Sequence, residues 1–542
     1  MKNLYITLFL LNFVSISAQA PAIVWQKRMG GNNWNLGSNM CSTFDGGFFV
    51  AGRSSSNAIY EKTENSRGGS DYWVLKLDSN GVIEWDKTIG GAQSNGQISN
   101  ENDIMGAAKQ TPDGGYILCG SSDSPISGEK TESCRGYYDY WIVKLNNMGT
   151  IEWQRTLGGN LQDECRTIIN TLDGGYMLAG FSYSNISGDK TEDSRGLADI
   201  WLVKLNATGS IEWQKTIGGN SYENIGINGI IQNLDGTYVI ATGSSSDISG
   251  EKTENSRGSS DIWLLKLDSS GNILLQKTIG GSGEDQSIGI IATNDGNYLI
   301  NGTSKSPISG EKTDYCRGGT DGWFLKVDAS FTIIWQKTYG GNSDDYFTGY
   351  QCNDNGFIVS GGSLSGVSGE KITPVSGYTD AWILKLSETG NIQWQKTIGG
   401  YSPGIYGGLD GLASIIQLLD SSFVLFGGTN SDISGDIVDF PRGNTDYWLV
   451  KLAPENLSTT GFTTSNVQVY PNPTTKMVSI NFPQQFKKLA VTVVTNLGQI
   501  VHEQTFTNLS KINLDINGAK GIYFVNVVNE NNEKLVFKVI KE

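Results

Sequence analysis

The sequence predicts an all-β fold: a seven-bladed β-propeller closed by an N-terminal strand, followed by a small Ig-like β-sandwich. Three observations carry that expectation. The phrase W-Q-K-T-I-G-G, with variations, starts at Trp25, Trp85, Trp153, Trp213, Leu275, Trp335 and Trp394; a second phrase built on D-x-W starts at Asp71, Asp139, Asp199, Asp261, Asp321, Asp380 and Asp446. Self-similarity at so long a period marks a repeat architecture. The apolar residues are largely aromatic and β-branched, and 70 glycines punctuate them, which is a composition of strands and turns. Finally, the part of the chain after an N-terminal leader opens on IVWQKRMGG, Ile23 to Gly31, the back half of a repeat with no front half before it.

Each repeat divides into four strands, A to D. In the third repeat TLDGGYMLAG reads as a hairpin, with Asp173-Gly174 at a turn that calls for positive φ. LADIWLVKL is the third strand, and NATG turns into IEWQKTIGG, the fourth. Apolar residues on both sides of these strands require a sheet covered on both faces. Such sheets repeated radially make propeller blades. The first complete strand A is expected near Ser38 to Phe44, and the last strand C is DYWLVKL, Asp446 to Leu452. The seventh repeat therefore lacks a strand D, and the ring closes if Ile23 to Met29 pairs beside Asp446 to Leu452. Neither end of the ring is then an open edge.

The domains follow in order. Residues 1–18 read as a secretory signal peptide: Lys2, a short apolar core LYITLFLLNFV, then small residues before the cut after Ala18. The core is too short to span a bilayer, and no later segment is apolar enough to do so. Residues 21–452 form the propeller, 453–465 a polar linker, and 466–542 a small domain of short strands. A net charge of −15 and a pI near 4.7 exclude sequence-independent nucleic-acid binding and disfavour anionic membranes.

The unit GGSDYWVLKLDSNGVIEWDKTIGG followed by DGGYILCG resembles the SBBP-type seven-bladed propeller repeat of secreted bacterial proteins, and LDSNGVIEW resembles the tryptophan-docking motif of quinoprotein propellers. The resemblance implies a fold and no ligand. Tyr470, Pro471, Asn472 and Pro473 in VYPNP, Gly521 and Tyr523 in GIYFV, and the closing KVIKE resemble the type A C-terminal sorting domain of the type IX (Por) secretion system. That resemblance implies partnership with the type IX machinery and export across a Gram-negative outer membrane. It also implies removal of the tail, with release or attachment to surface lipopolysaccharide.

Thirteen of the 14 tryptophans occupy two repeat positions, which assigns them to packing between blades. The fourteenth, Trp34, lies with Asn33 and Asn35 in a connection on the loop-rich face. A flat indole among amides suits the face of a sugar, and it suits plugging the first gap of the ring equally well. Tyr401 and Tyr406 sit in another lengthened, Gly-rich connection and complete the candidate ligand-binding set. The loop between strands B and C carries an acidic residue in every copy and an arginine in six, from Arg67 to Arg442. It reads either as self-paired surface charge or as a multivalent platform.

Carboxylates recur where strand A begins: Asp103, Asp163, Glu164, Glu223, Asp285, Asp344, Asp345 and Asp410. Solvated loop charge is the expectation, a ring for a hard cation the alternative. Cys134 and Cys165, placed on one face of adjacent blades, are candidates for a disulfide in an exported chain, whereas Cys316 is expected to stay free. His502 is the single histidine and lies outside the repeats. Nucleophilic triads and histidine-held zinc therefore have no base or ligand in the ring. No catalytic residue, metal ligand or cofactor is assigned. The functional expectation is an exported module that binds a glycan or a protein. A secreted enzyme, quinone-dependent or carbohydrate-active, and a structural surface-matrix component are the alternatives.

Overall fold

A computed structural model of the chain describes residues 19–92, 103–404, 406–455, 467–495, 499–529 and 534–542. Residues 1–18, read above as a signal peptide, most of the expected linker and the stretched connection before Asp103 lie outside them. The chain divides into two compact units, one spanning Ala20–Glu455 and the other containing the C-terminal strands. No helix occurs among the described residues.

In the larger unit the strands pair in fours, A beside B beside C beside D. Five sheets have four strands each; repeats 4 and 5 join into one of eight through a single parallel bridge between Asn228 and Gly289. Strands B and C are buried along their whole length, as in Tyr116–Ser122 and Asp139–Leu145 of the second repeat. Strand D, as in Ile151–Leu157, is half-buried with one exposed position until its buried end. Each strand A touches the strand A of the following repeat, and the seventh, Asp410–Gln417, touches the first, Asn35–Ser42. Repeated sheets whose innermost strands run round a closed circle fit a propeller.

Ile23–Met29 completes the seventh sheet by pairing antiparallel with Asp446–Leu452, Ile23 opposite Leu452 and Met29 opposite Tyr447. Strand A of the first repeat begins at Asn35, three residues before the expected start. The A–B turn takes the predicted positive φ: Gly174 has φ 83°, and in the sixth and seventh repeats Asn355 and Ser421 take φ 64° without a glycine.

The repeated residues solve one packing problem seven times. The strand C indole, Trp73 or Trp141, is fully buried, and its N–H donates to the residue after the strand D tryptophan. That acceptor is Gln154 Oε1 at 3.0 Å in repeat 2 and Asp86 Oδ2 at 3.0 Å in repeat 1, so the glutamine of W-Q-K-T has a defined task. The strand C lysine runs its stem inward: Lys76 Nζ meets Asp45 and Glu84, each at 2.8 Å, at the rim. Hydrophobic clusters straddle neighbouring repeats, as where Phe49 and Tyr72 of repeat 1 pack with Tyr116 and Trp141 of repeat 2. Phe49 stacks on Tyr116 with ring centres 4.0 Å apart.

The C-terminal unit is one barrel-like sheet of five strands around a single apolar core. The long strands Met477–Thr495 and Ile500–Asp515 pair antiparallel from Met477 opposite Asp515 to Val494 opposite Ile500, with the register shifting between Asn481 and Phe486. The VYPNP segment closes it: Asn472 Nδ2 donates to Lys538 O and Asn472 Oδ1 accepts from Ile540 N–H, both at 2.8 Å. Tyr523 donates its hydroxyl to Ala519 O at 2.6 Å, and Tyr470 accepts from Asn481 Nδ2 at 2.8 Å.

Candidate functional site

The B–C loops form a ring of ion pairs, each arginine reaching into the next repeat. Arg135 meets Asp189 at 3.1 Å, Arg195 meets Glu251 at 2.9 Å, and Arg257 meets Glu311 at 2.7 Å. Arg442 of repeat 7 meets Glu61 of repeat 1 at 3.0 Å and carries the ring across the chain ends. Some arginines pair within their own loop as well, Arg195 with Glu192 at 3.2 Å and Arg317 with Asp314 at 3.3 Å, and the charges are spent on each other. Ser376 replaces the arginine in repeat 6, so the ring is interrupted before Asp436.

The structure separates the predicted binding residues. Trp34 is 48% exposed and bridges in parallel to Thr445 where repeat 7 meets repeat 1. Asn33 is tied to Asn444, whose Nδ2 donates to Asn33 Oδ1 at 3.0 Å. Asn35 is fully buried and takes hydroxyl hydrogen bonds from Ser54 and Ser56, which makes it a structural residue beyond a ligand's reach. Tyr401 and Tyr406 are exposed one junction away, between repeats 6 and 7, and Tyr406 packs edge-on against Tyr378 at 5.2 Å.

Of the eight acidic residues expected as solvated charge at the start of strand A, Glu164 and Asp344 are half-buried and the other six are not solvated. Asp103, Asp163, Glu223, Asp285, Asp345 and Asp410 are at most 1% exposed, and each meets the strand C aspartate of the preceding repeat: Asp71, Asp139, Asp199, Asp261, Asp321 and Asp380. The expectation failed because composition alone does not reveal that the glycines of I-G-G clear a space for these carboxyls. A Cβ on Gly90 would stand 2.3 Å from Asp71 Oδ1, and one on Gly91 2.5 Å from Ser124 Cβ.

The structure does not join Cys134 to Cys165; all six cysteines are free thiols. Cys134 does the work of the serine that other repeats place there. Its Sγ lies 2.6 Å from Ser122 O, as Ser256 Oγ lies 3.0 Å from Ser244 O. Cys165 instead points into the apolar cluster that it shares with Cys119. Burial pushes the Cys134 thiol up to about 11.

Sequence reasoning missed a cleft of about 350 Å³ where repeats 3, 4 and 5 meet, lined by Arg166, Phe181, Tyr183, Tyr222, Asn224 and Gln286 among others. Tyr222 occupies the position of Trp34, directly before the strand A carboxyl, and that shared position was the signal available in the sequence. Tyr183 meets Tyr222 edge-on at 6.4 Å and Phe181 at 6.0 Å. A bulge between Cys165 and Thr167 turns Arg166 to this side, where its guanidinium lies 5.1 Å over the Phe181 ring and 2.8 Å from Glu164. Arg166 Nε is buried with no hydrogen-bond partner. Burial raises the Tyr183 phenol, with Tyr222 and Glu164 adding to it, so the phenol stays a neutral donor. Aromatic faces beside amides and one guanidinium suit a polyhydroxylated ligand. A second cavity of about 380 Å³ follows the ring axis and draws Asn39, Lys109, Asn228, Thr348 and Ser414 from different strands A.

Comparison with known proteins gives three kinds of likeness. A regulatory protein, FlaEY of Caulobacter vibrioides, is 25% identical over 222 residues, covering 38% of this chain; the chain spans 23% of that protein's length. A protein of unknown function from Dyadobacter fermentans superposes with a TM-score of 0.40 at 11% identity, covering 80% of this chain and 99% of the other. A Synechocystis apocarotenoid oxygenase superposes with a TM-score of 0.33 at 10% identity, covering 69% and 73%. Residues 468–542 match the family described as the secretion system C-terminal sorting domain, the Por secretion tail. This tail, which works with the type IX machinery, addresses the chain across the outer membrane to the cell surface or the extracellular space.

Proposed function

We propose that the chain is an exported seven-bladed β-propeller of the SBBP type, carried by an Ig-like sorting tail after a cleaved leader, and that it binds a glycan at the cleft between repeats 3, 4 and 5. The observation that carries this reading is the Tyr183–Tyr222 pair with Phe181 and Arg166 in one open cavity. The sheets beneath are repeated and buried, so the loops and strand starts are held rigidly, and a rigid scaffold presents its ligand from such positions. Tyrosine rings offer an apolar face to a sugar's C–H groups, and Asn224, Gln286 and Arg166 offer hydrogen bonds to its hydroxyls. Trp34, at the matching position of repeat 1, provides a second exposed aromatic platform on the same ring.

The test is binding of the mature protein to a panel of neutral and acidic polysaccharides. Tyr222→Ala and Tyr183→Ala are each expected to weaken the best ligand about tenfold or more, since truncating an aromatic anchor costs on the order of 2 kcal/mol. Trp34→Ala leaves that ligand bound. Affinity unchanged in both tyrosine variants, or a panel without a ligand, would contradict the reading.

A further inference from the structure

At the junction of repeats 1 and 2 the oxygens of two buried carboxyls divide their work. Asp71 Oδ2 accepts the Arg67 N–H at 2.6 Å, and Asp103 Oδ2 accepts the Gly91 N–H at 2.9 Å and the Ser124 hydroxyl at 3.2 Å. Both Oδ1 atoms are buried and take no hydrogen bond. The same holds at the Asp261–Asp285 and Asp321–Asp345 junctions. Two bare carboxylate oxygens in a solvent-free contact repel, so this arrangement requires something positive between them.

The seventh junction shows what that is. Asn35 stands where the others have a carboxyl, and its Nδ2 points an N–H at Asp446 Oδ1, 3.4 Å away. Its Oδ1 accepts from Ser54 and Ser56 at 2.7 and 3.0 Å, as Asp103 accepts from Ser124. An amide N–H at this place does what the O–H of a protonated carboxyl would do. The carboxyl pairs are accompanied by buried loop lysines such as Lys62, Lys130 and Lys312. In repeat 7 that lysine is Ile437, and Arg28 from the N-terminal strand takes over, 2.7 Å from Asp446.

We propose that each of the three carboxyl pairs with bare oxygens, Asp71–Asp103, Asp261–Asp285 and Asp321–Asp345, binds one proton between them, so that the ring is clasped by three proton sites and loosens when they empty. Asp71 is faced by Lys62 and Arg67 of its own loop, by Glu129 of the next loop and by Asp103; Asp103 is faced by Asp71, Lys130 and the Tyr72 phenol. Burial pushes Asp71 up to about 6 and Asp103 up to about 7, against the opposing pull of their hydrogen bonds and the lysines. Burial lowers Lys62 to about 8, which leaves it charged across this range.

The sign follows from linkage. Folded carboxyls held above the free-chain value of about 4 bind more protons than the unfolded chain between about pH 4 and about pH 7. Their contribution to stability is complete at the acid end, falls as pH rises through that window, and is flat above it. Each proton weakens folding by at most about tenfold per pH unit. A divalent cation is the poorer occupant, because it asks for six to eight oxygen ligands and the remaining neighbours here are N–H and O–H donors.

The experiment is urea unfolding of the mature protein from about pH 5 to about pH 8 for the natural chain, Asp103→Asn and Asn35→Asp. Asp103→Asn installs the arrangement of the seventh junction. It is expected to keep the fold and to flatten the pH dependence by about tenfold in the folding equilibrium per pH unit. Asn35→Asp is expected to steepen it by the same factor. Infrared spectra of the folded protein at neutral pH should contain a carboxylic acid C=O band that weakens in Asp103→Asn. Unchanged pH dependence in both variants would overturn the proposal, as would the lack of that band. Stability at about pH 8 that rises with Ca²⁺ and falls with a chelator would replace the proton by a cation.

Discussion

The indole N–H of Trp448 donates to Gln26 Oε1 at 3.0 Å across 422 residues of sequence. Within repeat 2 the same bond joins Trp141 to Gln154, 13 residues apart. The N-terminal strand therefore supplies the seventh repeat with the partner that every other repeat finds in its own strand D. Gln26→Ala leaves a buried indole N–H without an acceptor and should cost about 1–3 kcal/mol. Gln154→Ala should cost the same within error. Urea denaturation of the two variants checks the equivalence.

The two arginines near the closing contact should behave differently. Arg28 and Asp446 are buried, with side chains 1% and 0% exposed, and Arg28→Ala leaves an unpaired carboxylate in the core. A loss of about 3–5 kcal/mol is expected. Arg442 and Glu61 pair at the surface, and Arg442→Ala should cost about 0–1 kcal/mol, less in high salt. Thermal unfolding at two ionic strengths separates them.

Thiol accessibility provides a third check. Cys134 and Cys316 are half-buried with Sγ turned to the carbonyls of Ser122 and Ser304, and burial raises both thiols. Iodoacetamide at about pH 8 should leave them unmodified in the folded protein, because the thiolate is the reactive form. After denaturation both should alkylate, and Cys134→Ser should match the natural chain in stability.

Much of the ring was legible in the sequence because its determinants are local and periodic. Trp73, Asp71 and the glycines at 90 and 91 recur at fixed offsets, and a residue that recurs in every repeat answers a need that every repeat has. The closing strand was legible for the same reason, since IVWQKRM carries the strand D pattern and only one partner lacked a neighbour. What escaped depends on contacts between repeats. The start of strand A looks like a polar loop in sequence, yet Asp103 and Asn35 are packed beneath Gly-Gly turns that only the assembled ring brings together. Cys134 looked like half of a cross-link because its serine-like hydrogen bonds to the Ser122 carbonyl could not be seen. Tyr183 and Tyr222 are 39 positions apart and meet across two repeats, so neither stood out, whereas Trp34 did because tryptophan is rare outside the two packing positions.

In the sorting tail Asn472 acts as a short piece of strand, its amide bonded to both Lys538 and Ile540. Asn472→Ala removes both bonds and should lower the tail's stability by about 1–2 kcal/mol, a partly exposed pair being worth about 1 kcal/mol per bond. Surface display of the natural chain and the variant, measured by protease shaving of intact cells, should fall in the variant.

Circular closure by the first strand is tested most directly by heating the mature protein with and without residues 21–31. Ile23–Met29 covers the outer side of Asp446–Leu452 and brings Trp25, Gln26 and Arg28 to the seventh sheet. Without it the truncated chain should unfold at a markedly lower temperature and over a broader range, because an edge strand and the buried Asp446 carboxylate lose their partners. An unchanged midpoint and an equally sharp transition would contradict the closed ring.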